Sequence, residues 1–243
     1  MAFSRVEAPA IAPDHEALTA AMAGIGMNFA ATPKVDANIE DTLLFASVEG
    51  MDKDDLRVLA VLVTWFREHH AWVNADRLTK LVDARGSPRV RALWSALATW
   101  QAKDRRFARL AALYRGPRVD ILTTGMDFQI GRHGEDLRFA GSCLRVPATV
   151  LRDRAADTLS PAQLARHRAY RHRVMMGPTY RADLWAALEA DPDLSPTELA
   201  RRTYASFASA WQAKRDFVVL FGPSEKARMP RSLRRKQVEH DAM

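Results

Sequence analysis

The chain has 243 residues, of which 48% are hydrophobic and 27% charged, with a formal net charge of +7. That composition supports a packed core of one large domain or two small ones, and its charged share is ordinary for a soluble protein. A single cysteine, Cys143, excludes an internal disulfide and a cysteine-based zinc site.

The charge is uneven. Residues 1–84 carry seven Lys/Arg against thirteen Asp/Glu, and residues 85–243 carry twenty-nine against sixteen. A basic second part suits an acidic partner or simply an arginine-rich solvated surface. The longest apolar run, residues 58–66, is half of what a membrane span needs and reads as a buried helix. No basic flank followed by an apolar stretch opens the chain, so a cytoplasmic location is expected.

In chain order, residues 1–35 are rich in Ala and Pro and read as a loose segment, with a short helix over Asp14 to Ala23. Asp36 or Asn38 caps a helix to about Val48, which Gly50 stops. Asp52 is the expected cap of a long helix reaching His70. Asn74 caps a third, and Ser87 with Pro88 opens a fourth to about Gln101. Phe107, Leu110, Ala111 and Tyr114 carry helical spacing onward. Gly116-Pro117 breaks the pattern. Four short β-like runs follow (119–122, 128–130, 137–139 and 144–146), and the stretch 128–139 reads as a hairpin. Beyond Pro147 the chain returns to helix: Ser160-Pro161 to Met176, Tyr180 to Ala190, Pro196 to Tyr204 and Phe207 to Leu220. Residues 223–243 form a basic tail with Lys226, Arg228, Arg231, Arg234, Arg235 and Lys236.

The expected fold is therefore mainly α, with two small helical units, 36–146 and 147–222, and a β-ribbon at about 118–146. In the second unit Ser195, Pro196 and Glu198 carry a capping-box signature, and Ser206 restarts the helix. Leu199 and Ala200 are expected to face inward, as are Phe207, Ala210 and Trp211. Over about twenty residues this segment resembles the helix-turn-helix DNA-binding family, in its Glu198-Leu199-Ala200 opening and its Ser206 restart. It departs from the family at Tyr204, where glycine is usual. The earlier helices 75–84 and 88–101, followed by the β-like stretch, resemble a winged helix.

That resemblance implies sequence-specific binding of double-stranded DNA, as in a transcriptional regulator, with an autoregulating antitoxin as one subtype. The residues expected to contact DNA are Ser206, Ser209, Gln212, Lys214 and Arg215 on the late helix, Arg201 and Arg202 before it, and Arg89, Arg91 and Ser95 on the earlier one. Apolar surface on helices 38–70 could support a homodimer. Two alternatives stand beside this reading: a protein-interaction module with a basic surface, and an enzyme whose site is assembled from scattered residues. No cofactor, metal or effector is specified. His69 and His70 are adjacent and cannot share a metal from one helix face, Asp52, Asp54 and Asp55 sit at a helix start, and Cys143 has no evident base partner. The Arg-rich segment 165–173 reads as an ion-paired linker helix.

Overall fold

A computed structural model describes residues 12–222. The basic tail expected at 223–243 lies outside them. The architecture is mainly α-helical, as the periodicity predicts. The first body contains α1 (His15–Gly24), α2 (Ile39–Asp52), α3 (Leu56–His69), α4 (Ala75–Arg85), α5 (Pro88–Trp100), the short α6 (Ala108–Ala111) and α7 (Met126–His133). After these come α8 (Pro161–Leu164), α9 (Arg168–Met176), α10 (Tyr180–Ala190), α11 (Pro196–Thr203) and α12 (Phe207–Phe221).

The helix starts follow the capping chemistry. Asn38, Asn74 and Ser87 each accept a backbone N–H from the first turn of their helix. One start differs from the expectation. Asp55, not Asp52, caps α3, accepting from the N–H groups of Arg57 and Val58. Helix α2 runs through Gly50 to Asp52 because that glycine has another use. A Cβ there would overlap the Leu59 side chain, so Gly50 lets α2 and α3 close together.

Two apolar cores result. The first draws on residues from Leu18 to Tyr170, with Trp65, Phe66, Trp94 and Phe107 at its centre. Phe66 meets Trp94 and Phe107 edge-on, at centroid distances of 5.3 and 5.4 Å. This core extends at both ends beyond the limits read from composition. Leu18 and Met22, in the short helix expected over Asp14 to Ala23, and Ile25 and Met27, in the stretch expected to be loose, are buried in it, as are Leu151 and Leu164 beyond Pro147. Residues 58–66 of α3 are all buried, and α2 packs on α1, α3, α4 and α5. The α2–α3 pair thus has little apolar surface left for a homodimer. The second core is smaller: Leu184, Leu188, Leu194, Leu199, Ala205, Ala210 and Ala213.

The β-ribbon is not a hairpin. Val119–Asp120 pairs in parallel with Leu144–Arg145, and these are the only strands among the described residues. Residues 128–130 lie within α7, which starts after Gly125 in the left-handed region and stops at Gly134. Met126 and Ile130 face inward at a spacing of four, while Phe128 is 66% exposed and Leu137 is 88% exposed. The spacing of four overrides the β propensity of the intervening residues, and no wing forms. The helix expected over 161–176 is likewise divided. His167 interrupts it and caps α9 by accepting the N–H of Tyr170 at Nδ1, 3.2 Å away.

Charged side chains fasten the two bodies together. Arg173 of α9 is 1% exposed. It donates to both carboxylate oxygens of Glu40 on α2 (2.6 and 2.9 Å), to both of Asp183 on α10 (2.8 and 2.9 Å), and to the Trp72 carbonyl. Burial by itself would raise the Glu40 pKa, but Arg173, Arg77 and the Asn74 N–H together hold it below the usual carboxylate range. Asp183 lies above that range because its burial outweighs the attraction of Arg173. Beside this cluster Arg77 bonds Asp41, and Tyr204 from the C-terminal body donates its hydroxyl to Asp41 at 2.8 Å. Replacing Arg173 by Met should strip buried Asp183 of its guanidinium donor and leave buried Glu40 only Arg77 and the Asn74 N–H, at a cost of about 3–5 kcal/mol. An unfolding free energy from urea titration within about 1 kcal/mol of the parent would show that the network is not holding the fold.

His69 provides a second tie. Its Nε2–H donates to the Leu159 carbonyl at 2.9 Å, and its Nδ1 accepts the Tyr170 hydroxyl at 2.8 Å. Burial drives its pKa down from 6.5 to about 4. Below pH 6.5 the unfolded chain takes up a proton that the folded chain refuses until about pH 4, so His69 contributes stability that is complete above 6.5 and lost as the pH falls towards 4. Across that window His69→Gln should lose roughly 3 kcal/mol less than the parent in unfolding titrations, His167 being common to both.

Candidate nucleic-acid interface

Helices α10, α11 and α12 pack against one another in all three pairings. Ser195 caps α11 by accepting the Glu198 N–H at 3.2 Å, and Pro196 takes the first helical position. The reciprocal half of the expected capping box is not made. The Glu198 carboxylate turns instead to Arg201 and Arg202, whose hydrogen bonds hold its pKa at about 2. Leu199 and Thr203 face inward, Ala200 is partly buried, and Ala205 is buried in the turn.

Tyr204 makes the turn where glycine was expected. Its backbone is left-handed, at φ 58° and ψ 19°. An aromatic residue adopts that conformation only when its surroundings impose it. Here the Arg77 guanidinium lies 3.4 Å from the ring centroid, and the hydroxyl is anchored on Asp41. Burial, then the neighbouring Asp41 carboxylate, push the Tyr204 hydroxyl up to about 12. The turn thus has the geometry glycine would allow, held by contacts with the first body.

Ser206 then caps α12, accepting the Ser209 N–H at 3.1 Å. The inward face of α12 is not the one read from the aromatic residues. Ala210 and Ala213 are buried and Phe217 packs beside them, whereas Phe207 is 47% exposed and Trp211 is 49% exposed. Two alanines let α12 come close to its neighbours, and this rotates the large aromatics outward. The spacing 210, 213, 217 is as helical as 207, 210, 211, so periodicity could not choose between them. Trp211→Ala should accordingly cost less than about 1 kcal/mol in thermal unfolding. A loss of about 3 kcal/mol or more would return Trp211 to the core.

The expected DNA-contact residues separate into two groups. Ser209, Arg201, Arg202 and Arg215 are exposed around the turn and along α12, with Ser206 half-buried beside them. Arg215 lies over the Trp211 ring, 5.4 Å from its centroid. Gln212 and Lys214 belong to the same helix but are engaged within the fold: Gln212 donates to Asp216 at 2.7 Å, and Lys214 donates to the Pro192 carbonyl. Asp216 is shared with Arg181.

Arg89, Arg91 and Ser95 are on α5 in the other body and do not join this group. Ser95 is buried, its hydroxyl donating to the Ala111 carbonyl, and it cannot reach a nucleic acid. Arg89 pairs with Asp54 and donates to the Ile121 carbonyl, while Arg91 donates to the Asp83 carbonyl. Residues 92–98 are all buried, so α5 is a core helix that cannot lie in a groove. Among the described residues, most of the arginines of the basic second part have acids nearby. Arg118 meets Glu135, Arg138 meets Asp136, Arg168 meets Asp36 and Arg171 meets Glu189. Tyr170 is buried and does not stack on a base.

Among the described residues no group of His, Cys, Asp and Glu is placed to hold a metal ion, and no helix is long and apolar enough to cross a membrane. His70 turns to the Arg67 carbonyl, and the Cys143 thiol donates to the Ala92 carbonyl. No family model, curated protein or solved structure matches the chain.

Proposed function

We propose that the protein binds double-stranded DNA through α10–α12, with α12 as the element that enters the major groove, and acts as a transcriptional regulator. The observation that carries this reading is the α11–Tyr204–α12 unit. It is two capped helices joined by a left-handed turn and closed over small residues, with the outer face of α12 free. A helix presented in that way can reach base edges while the helix before it crosses the phosphate backbone. Ser209 and Arg215 are the candidate readers, and Arg201 and Arg202 the candidate phosphate contacts.

A second reading is a protein-interaction module. It is favoured by the apolar residues on the same helix: Phe207, Trp211, Val219, Leu220 and Phe221 are all exposed. Fluorescence anisotropy on labelled duplexes separates the two. Binding at about 50 mM salt should weaken as salt rises, with a log–log slope of about −0.9 per phosphate contact. Arg215→Ala should lower affinity for a preferred site by about 1–3 kcal/mol. Arg91→Ala should change nothing, because that guanidinium is turned to the Asp83 carbonyl. Absence of duplex binding at low salt would reject the DNA reading in favour of a protein partner on the aromatic face.

A further inference from the structure

Two hollows meet at the loop of residues 33–36, and no residue of α12 lines either of them. One, of about 450 Å³, opens between the start of α2, α9, α10 and the end of α11. The other, of about 730 Å³, is lined by the end of α1, the loop itself, Leu159, α8 and the first turn of α9. Lys34 and Asp36 line both.

The loop is held in place. The Lys34 N–H donates to the Ala20 carbonyl at 2.8 Å, and a Cβ on Gly24 would overlap the Lys34 carbonyl oxygen, so glycine permits the close approach. Asp36 has a left-handed backbone, at φ 57°, with its carboxylate on Arg168. A binding wall ordered in advance loses little entropy when a ligand arrives.

The larger hollow gathers Lys34, Arg166, Arg168 and Arg171, with Asp36 as the acid among its lining residues. Arg168 is neutralised by Asp36, and Arg171 by Glu189. Among the described residues no ion-pair partner meets Lys34 or Arg166, so the cleft has two uncompensated cations. Its other walls carry the apolar Pro33, Val35, Leu159 and Leu164 beside the polar Gln163 and His167. Val35 and Leu159 are exposed there.

We infer that this cleft binds a small phosphate monoester with an apolar body. A monoester phosphate carries about −1.5 to −2 charges near neutral pH, matching the two free cations. A carboxylate offers about half that charge, and a nucleic-acid diester about one charge per phosphate along a track, not in a hollow. The volume suits one small molecule, and apolar walls with a few convergent charged groups are the usual make-up of such a site.

Phenyl phosphate is the probe, titrated into the full chain carrying labelled Leu and Val methyl groups. Saturable NMR shifts are expected at Val35, Leu159 and Leu164 but not at Leu199, with binding at least about tenfold tighter than inorganic phosphate. Lys34→Ala/Arg166→Ala, at two exposed positions, should weaken phenyl phosphate at least about tenfold, and Arg215→Ala should leave it unchanged. The proposal is overturned if no saturable shift appears by about 10 mM, or if the double variant binds equally well. It is also overturned if duplex DNA displaces the probe from these methyl groups, which would assign the cleft to a nucleic-acid backbone. Because Arg215 is outside the cleft, duplex binding and phenyl phosphate binding can fail independently.

Discussion

Arg173 is the point on which the two bodies turn. A guanidinium removed from water needs all its donors met, and this one reaches Glu40 on one body, Asp183 on the other and the Trp72 carbonyl. Around it the count of charges is uneven. Glu40, Asp41 and Asp183 face only Arg173 and Arg77. Burial is the largest cause of the raised pKa values of Asp41 and Asp183, and the Glu40 carboxylate adds to it. Such a cluster contributes little net stability compared with apolar packing, but it tolerates very few geometries. Its effect is to fix how α9 and α10 sit on α2 and α4.

Both candidate surfaces depend on that fixed placement. The outer face of α12 is presented by a turn whose central residue is clasped by Arg77 and Asp41, members of the same charged group. The smaller hollow is lined by Arg173 and Asp183 themselves, and by Arg202 and Thr203 from α11. The cationic cleft shares its Lys34–Asp36 wall with that hollow. The first body is therefore more than a support for the helices behind it, since it shapes the surroundings of both sites.

Much of the helical framework was legible in the sequence, because caps are local chemistry. Asn38, Asn74, Ser87, Ser195 and Ser206 each bond the backbone within three residues, and short-range bonds of that kind need no tertiary knowledge. Orientation was not legible. Whether α12 turns Trp211 or Ala213 inward depends on how closely α10 and α11 approach, and that is a property of the assembled body. The stretch 128–139 departs from a hairpin for a related reason: its Phe and Ile suit a strand, but the pairing partner available to Val119–Asp120 is Leu144–Arg145, running parallel, and residues 128–130 join α7. The basic half of the chain misled in another way. Arginines such as Arg89, Arg118 and Arg145 meet acids distant in sequence, so a local excess of cations did not mark a free basic surface. The cationic cleft was invisible because Lys34 and Arg166 come together only in space.

The left-handed Tyr204 has a consequence for how this architecture can vary. A glycine in such a turn makes a helix pair self-sufficient, able to keep its angle on any scaffold. A tyrosine makes the angle conditional, since the ring and hydroxyl hold it only while Arg77 and Asp41 are within reach. Severed from the first body, α11 and α12 would lose the clasp that offsets the strain, and their mutual angle would drift. The C-terminal helices are therefore not a transplantable module, and any change that loosens their seat would be felt at the exposed face of α12 without a residue of that face being altered.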